Sequence, residues 1–199
     1  MRGNPRHKLT TAALTTAALL MVGGCETAKD TYDYVSLLWE DPVVLPCPDY
    51  RILADAARVR QFKEGAGRDL VDIDAEGVIG DVRMGCITRI DKKTRKGFME
   101  VEVAVAFAAK RGPANRSRRV ELPYFISVTD NKRNVLYREE FKVRASFPGN
   151  QSQLQFLGET VKLELPLSSK ITSRDYLVFA GFMLTRDQLQ LNRRLKDRK

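Results

Sequence analysis

Apolar residues recur at every second position along most of the chain from residue 78 onward. The cleanest stretch is Met99, Val101, Val103, Val105 and Phe107, alternating with Glu100, Glu102, Ala104 and Ala106. A period of two sends successive side chains to opposite faces, so this segment reads as a half-buried strand. Val120, Leu122, Tyr124, Ile126 and Val128 predict another. Asp130 to Asn134 turns the chain, and Val135, Tyr137, Phe141 and Val143 return it as a hairpin with a long loop. Upstream, Val78, Gly80, Val82, Met84, Cys86, Thr88 and Ile90 read as one face of a strand, followed by the polar loop 91–97. Phe147-Pro148-Gly149-Asn150 breaks the pattern. Val161, Leu163 and Leu165 give a strand that Pro166 stops. Tyr176, Val178, Ala180 and Phe182 then oppose Leu177, Phe179 and Met183 in the last strand. The segment Tyr50–Phe62 fits both periods. Ile52, Ala56, Val59 and Phe62 recur at helical spacing, while Leu53, Ala57 and Val59 fit a strand.

Six or seven strands at this spacing predict an all-β fold, an antiparallel immunoglobulin-like sandwich over residues 50–185. No amphipathic helix stands between the strands, which argues against a parallel α/β sheet. A closed barrel around an apolar ligand is the other all-β arrangement. One short C-terminal helix is expected. Thr185 and Gln188 form a Thr-x-x-Gln capping box, and Leu189, Leu191 and Leu195 offer an apolar stripe for docking on the sandwich edge. Residues 186–199 are assigned to this helix and a basic tail.

The N-terminus has another character. Arg2, Arg6, His7 and Lys8 precede an uncharged run from Leu9 to Val22, then Gly23, Gly24 and Cys25. A run of about 14 residues is too short to span ~30 Å of hydrocarbon as a helix and fits the apolar part of a signal peptide. The sequence Met21-Val22-Gly23-Gly24-Cys25 resembles the lipobox of bacterial lipoproteins. The other readings are a secretory leader with a chance cysteine and an uncleaved anchor. The resemblance implies removal of residues 1–24 as a signal peptide and a diacylglycerol on Cys25, with 25–49 as a lipidated tether. At ~0.8 kcal/mol per buried methylene, two or more chains anchor stably. Glu26, after the cysteine, favours the outer over the inner membrane by the family's sorting rule. The expected location is membrane-anchored, on the periplasmic side.

The segments Leu122–Asp130, Phe147–Gly149 and Gly181–Leu189 also look like those of a bacterial periplasmic lipoprotein family of unassigned function. That resemblance covers about residues 47–193. It implies the sandwich and the lipid anchor and brings no catalytic residues.

Maturation alters the charge argument. Loss of Arg2, Arg6 and Lys8 leaves +6 of the formal +9, and residues 193–199 hold +4 of that. The remaining +2 is no footprint of a nucleic-acid-binding domain, and no nucleic-acid partner is expected. The expected partners are the membrane, through the lipid, and an envelope protein or peptidoglycan. The oligomeric state is left open. The basic tail reads as a solvated terminus or as a contact for anionic headgroups or peptidoglycan carboxylates.

With Cys25 taken by lipid, Cys47 and Cys86 remain. An even pair in an oxidising compartment predicts a disulfide between them; two separate buried thiols are the other reading. The one histidine, His7, lies in the leader. The mature chain therefore lacks Ser-His-Asp and Cys-His catalysis and His-ligated zinc. Carboxylate pairs, Ser-Lys dyads and oxygen-ligand metal sites survive as chemistry.

The remaining candidates are each read two ways. Asp69, Asp72 and Asp74 are a calcium cluster or a solvated loop; their spacing fits no full EF-hand loop. Glu100 and Glu102 are a carboxylate pair or the polar face of a strand. Gly65-Ala66-Gly67 is a turn rather than a dinucleotide loop, because Leu70 stands where a third glycine belongs. Tyr124 and Phe125 point to opposite faces, so one is exposed or covered by another layer. Trp39 and Tyr34 pack on the domain or meet a partner. Lys110, Arg111, Arg116, Arg118 and Arg119 are candidates for polyanion contact, or a soluble basic loop. The reading that emerges is a lipid-anchored, non-catalytic binding or scaffold module of the cell envelope, with no cofactor and no metal. Its rivals are a carboxylate- or Ser/Lys-based enzyme and a carrier of apolar ligands.

Overall fold

The computed structural model describes residues 44–65 and 67–196. Among the described residues, nine strands form two sheets: β1 (Asp49–Ile52), β2 (Arg58–Phe62), β3 (Ile73–Ile90), β4 (Gly97–Arg111), β5 (Arg119–Asp130), β6 (Val135–Ser146), β7 (Gln153–Leu157), β8 (Val161–Leu167) and β9 (Tyr176–Phe182). A helix, α1 (Arg186–Lys196), follows them. The first sheet has the order β1-β9-β5-β6. The second has β2-β3-β4, with β7 and β8 sharing the far edge of β4. Their inner faces meet in one core, so the all-β sandwich with a C-terminal helix expected from the alternation is the observed fold.

The core follows the period-two pattern closely. Met99, Val101, Val103 and Val105 from β4 are fully buried, as are Leu122, Ile126 and Val128 from β5. Phe107 packs edge-on to Tyr124 across the interface, ring centroids 4.9 Å apart. Phe125, on the other face of β5, is buried too. Arg138 of β6 lies over its ring, 4.1 Å from the centroid, so both aromatics of the pair are covered.

Four expectations are corrected. First, β3 does not keep one phase. Ile79 faces Phe107 and Asp81 faces Ala106, which leaves Gly80 as the extra residue of a β-bulge. Before it, Ala75, Gly77 and Ile79 point inward; after it, Val82 does. Val78 and Gly80 therefore lie on the outer face. Second, Tyr50–Phe62 is neither one helix nor one strand. β1 and β2 belong to different sheets, joined by a 3-10 turn at Ala54–Ala56, and β1 pairs parallel to β9. Third, Pro166 does not stop β8, which continues to Leu167. An edge strand needs a partner on one side only, so it tolerates proline. Fourth, α1 docks by polar groups as much as by its leucines, of which Leu189 and Leu191 are half-buried and Leu195 is exposed.

The capping box itself forms. Thr185 N donates to Gln188 Oε1 at 2.9 Å, and Gln188 N to Thr185 Oγ1 at 3.3 Å. No residue of α1 is buried, and Leu195 is 43% exposed. Gln188 Nε2 donates to Arg60 O at 3.0 Å, and Asn192 Nδ2 to Arg58 O at 2.8 Å. These carbonyls belong to the free edge of β2, and the helix amides satisfy them.

The sandwich has two ends. Leu45, Ile90, Ser168 and Ile171 line one cleft, and Asn131 Nδ2 donates to Asp175 Oδ1 at 3.1 Å. Residue 44 and the turns 91–96, 130–134 and 168–175 are thus gathered at one end, the entry end. At the other end Ala114 N donates to Ile73 O and Phe147 N to Arg118 O, both at 2.9 Å, joining turns 63–72, 112–118 and 147–152. The entry segment is stapled to β3: Cys47 and Cys86 form a disulfide with their Cα atoms 5.6 Å apart. Leu45 N donates to Thr88 Oγ1 at 3.3 Å, and Tyr50 OH to Asp81 Oδ1 at 2.7 Å.

Candidate functional site

The five cations proposed for polyanion contact all lie at the end opposite residue 44. Lys110 and Arg111 close β4, Arg116 and Arg118 occupy the turn, and Arg119 opens β5. The turn is built around Asn115, which is 5% exposed. Its Nδ2 donates to Arg119 O at 2.9 Å and to Asp74 Oδ2 at 3.3 Å, and its Oδ1 accepts from Arg118 N at 2.8 Å. Gly112 N donates to Asp74 O at 2.8 Å and ties the turn to β3.

That framework holds Arg118 in the left-handed region, at φ 57°. None of the five cations makes an ion pair among the described residues. Arg116 and Arg119 are exposed, and Arg118 is half-buried. One guanidinium nitrogen of Arg118, Nη2, is buried and meets no acceptor among the described residues. A buried charged donor without a partner costs more than the about 1–3 kcal/mol of a neutral one.

A groove of about 560 Å³ continues from Lys110 across the outer face of the second sheet to α1. Its floor is Val78 and Ala108, its walls are Leu191 and Leu195, and Arg58 and Lys110 stand over it. The register sets Arg58 beside Val78, Val78 beside Ala108, and Glu76 beside Lys110. Arg60 is held by Glu76 at 2.6 Å, while Arg58 and Lys110 make no ion pair among the described residues.

The acidic candidates do not converge. Asp72 caps the turn at Asp69 and binds Lys63 Nζ at 2.7 Å, while Asp74 accepts from Asn115. The Lys63 ammonium, and next the backbone N–H of Asp69, hold the Asp72 carboxyl below its ordinary range. Glu100 pairs with Arg89 at 3.0 Å, and Glu102 with Lys162 at 3.1 Å. Each carboxylate is engaged by its own neighbour. No group of three His, Cys, Asp or Glu side chains gathers in metal-binding geometry among the described residues. No helix among them is long and apolar enough to cross a membrane. Cys25, Tyr34 and Trp39 lie outside the described residues.

Sequence reasoning missed Asn115 and the groove. The signal for Asn115 was the polar Asn-Arg-Ser run after Gly112-Pro113, a turn composition that did not reveal a buried side chain. The groove depends on the phase change at Gly80, which turns Val78 outward.

No family model matches this chain, and no curated protein does. Among solved structures, the variable domain of the AgI/II polypeptide BspA from Streptococcus agalactiae aligns with 66% of this chain and 75% of its own. The identity is 10% and the TM-score 0.17, a likeness too slight to bear on fold or function.

Proposed function

We propose that this chain is a lipid-anchored envelope protein, non-catalytic, held at Cys25 on the periplasmic side of the membrane, with the outer membrane favoured. Its working surface is the end opposite residue 44, where the Lys110–Arg119 turn meets a polyanionic envelope ligand such as peptidoglycan. The observation that carries the binding half is the cluster itself: five cations at one end make no ion pair among the described residues, and Arg116 and Arg119 are exposed. Asn115 fixes the backbone around it, so the turn is preorganised rather than collapsed on a carboxylate. Lipobox-like residues at the N-terminus support the anchoring half. An interior chamber for an apolar ligand has less support, because side chains such as Leu122, Val105 and Phe182 fill the space between the sheets.

The test is a cross-linking pull-down from membranes of the native host, comparing wild type, Cys25→Ser and Arg116→Gln/Arg119→Gln. Acyl label on Cys25 and peptidoglycan recovered with wild type are expected. The serine variant should leave the membrane fraction, and the arginine variant should lose the ligand while staying membrane-bound. An unmodified full-length N-terminus on wild type would overturn the anchor, and undiminished peptidoglycan with the arginine variant would overturn the site.

A further inference from the structure

The entry end carries a charge pattern that neither the fold nor the opposite end explains. The turn 91–96 holds Lys92, Lys93, Arg95 and Lys96; the turn 130–134 holds Lys132 and Arg133; the turn 168–175 holds Lys170 and Arg174. Within these turns eight cations stand against three carboxylates, Asp91, Asp130 and Asp175, and Asp49 adds one more at the start of β1. The first three are committed to their own turns. Asp91 Oδ1 accepts from Thr94 N at 2.6 Å and Thr94 Oγ1 at 2.8 Å. Asp130 Oδ1 accepts from Asn134 N at 2.8 Å and Lys132 N at 2.9 Å. Asp175 Oδ2 accepts from Thr172 N at 2.8 Å, and its Oδ1 from Asn131. Lys93, Arg95, Lys96 and Arg133 make no ion pair among the described residues.

Two backbone positions add an independent observation. Arg95 sits at φ 54° and Arg133 at φ 69°. The left-handed region suits glycine or asparagine, and a longer side chain there is strained. Asparagine would adopt either backbone conformation with less strain. Strain kept at a surface tip points to a use for the side chain. Beside these tips lie aliphatic groups turned to solvent: Val135 is 61% exposed, Leu136 54% and Ile171 43%. Cations interleaved with exposed aliphatics suit a bilayer surface, where charge meets headgroups and methyls reach the acyl boundary.

We infer that the entry end is a second membrane contact, binding anionic lipid headgroups through Arg95, Arg133 and the lysines around them. Its orientation rests on the proposed attachment at Cys25. Eighteen residues, 26–43, separate that cysteine from Val44, which lies at this same end. A sandwich tethered there would rest its basic turns on the membrane and point Lys110–Arg119 away from it.

The test uses full-length Cys25→Ser protein, so that no acyl chain contributes. Binding is measured to phosphatidylethanolamine vesicles containing phosphatidylglycerol and to phosphatidylcholine vesicles. The N-terminal residues are common to all variants and cancel in the comparison. Each cation near an anionic surface is worth about five-fold in affinity, ~1 kcal/mol. Arg95→Asn/Arg133→Asn should thus bind the anionic vesicles about 25-fold more weakly, with neutral-vesicle binding unchanged and the melting temperature unchanged or raised. Lys93→Gln/Lys96→Gln should show a similar loss, and Arg116→Gln/Arg119→Gln none. Undiminished binding by both entry-end variants, or an equal loss in the opposite-end variant, would overturn the inference. Acylation of wild-type Cys25, read by mass, decides the anchor separately.

Discussion

Asn192 Nδ2 donates to two backbone carbonyls at once, Arg58 O at 2.8 Å and Asp55 O at 2.9 Å. One side chain thereby joins α1 to the edge strand β2 and to the 3-10 turn that links the two sheets. Arg193 and Lys196 add ion pairs to Asp55 at 3.0 and 3.5 Å. Those pairs are solvent-exposed, where such contacts contribute little. The amide contacts are the specific part of the docking.

Replacing Asn192 with alanine should therefore release the helix. Two hydrogen bonds at about 1 kcal/mol each set the expected loss at roughly 1–2 kcal/mol. The freed β2 edge would then offer its carbonyls to another chain. Urea unfolding should register the loss, and size-exclusion chromatography should show concentration-dependent association absent from wild type. Arg193→Ala should change both readouts much less.

The disulfide should matter more. Cys47 and Cys86 are 39 residues apart in sequence, and in the chain-entropy account closing such a loop stabilises the fold by about 3–4 kcal/mol. It also fixes the entry segment beside β3, where Leu45 meets Thr88. Cys47→Ser/Cys86→Ser should lower the melting temperature by roughly 10 °C for a domain of this size. Reductant should destabilise wild type to the same level and leave the double variant unaffected.

Much of this architecture is written in the alternation of β4, β5 and β9. Each of those strands buries one face on the core, so polarity and position coincide residue by residue. β7 left a weaker trace: only Leu154 and Phe156 turn inward among its five residues. The bulge at Gly80 was hidden because Val78 and Val82 share a sequence phase and occupy opposite faces. The docking of α1 was only half read for another reason: its leucines suggest an apolar stripe, while unpaired carbonyls on β2 also call for amides. At the two ends, the basic residues were visible but their company was not. Nothing in the sequence around Asn115 signals that it is buried, and arginine is not a residue type that announces a left-handed backbone.

Two glycines separate packing from backbone freedom. A Cβ on Gly77 would lie 2.8 Å from Leu122 Cδ1 and 3.0 Å from Val59 Cγ1, both in the core. A Cβ on Gly85 would meet nothing within 4 Å. Gly77→Ala should cost about 1–3 kcal/mol as overpacking. Gly85→Ala should be neutral or stabilise by about 0.4–1 kcal/mol, through the unfolded chain. Paired urea titrations of the two variants measure both signs in one host.

Tyr137 should set the alkaline limit of stability. Burial first, and then its hydrogen bond to the Glu139 carboxylate, push its phenol up to about 12 from an ordinary 10.0. Both causes disfavour the phenolate in the folded state. Below pH 10 the phenol is protonated whether folded or unfolded, and its contribution is intact. Between about pH 10 and 12 the unfolded chain releases the proton while the folded chain keeps it, so stability falls as pH rises. Tyr137→Phe removes the titrating group and should flatten that part of the profile, while leaving a shallower decline from Tyr124 and Tyr176, which burial also raises. Urea midpoints measured from pH 8 to 11.5 for both proteins decide it: parallel curves would show that Tyr137 titrates as it does in the unfolded chain.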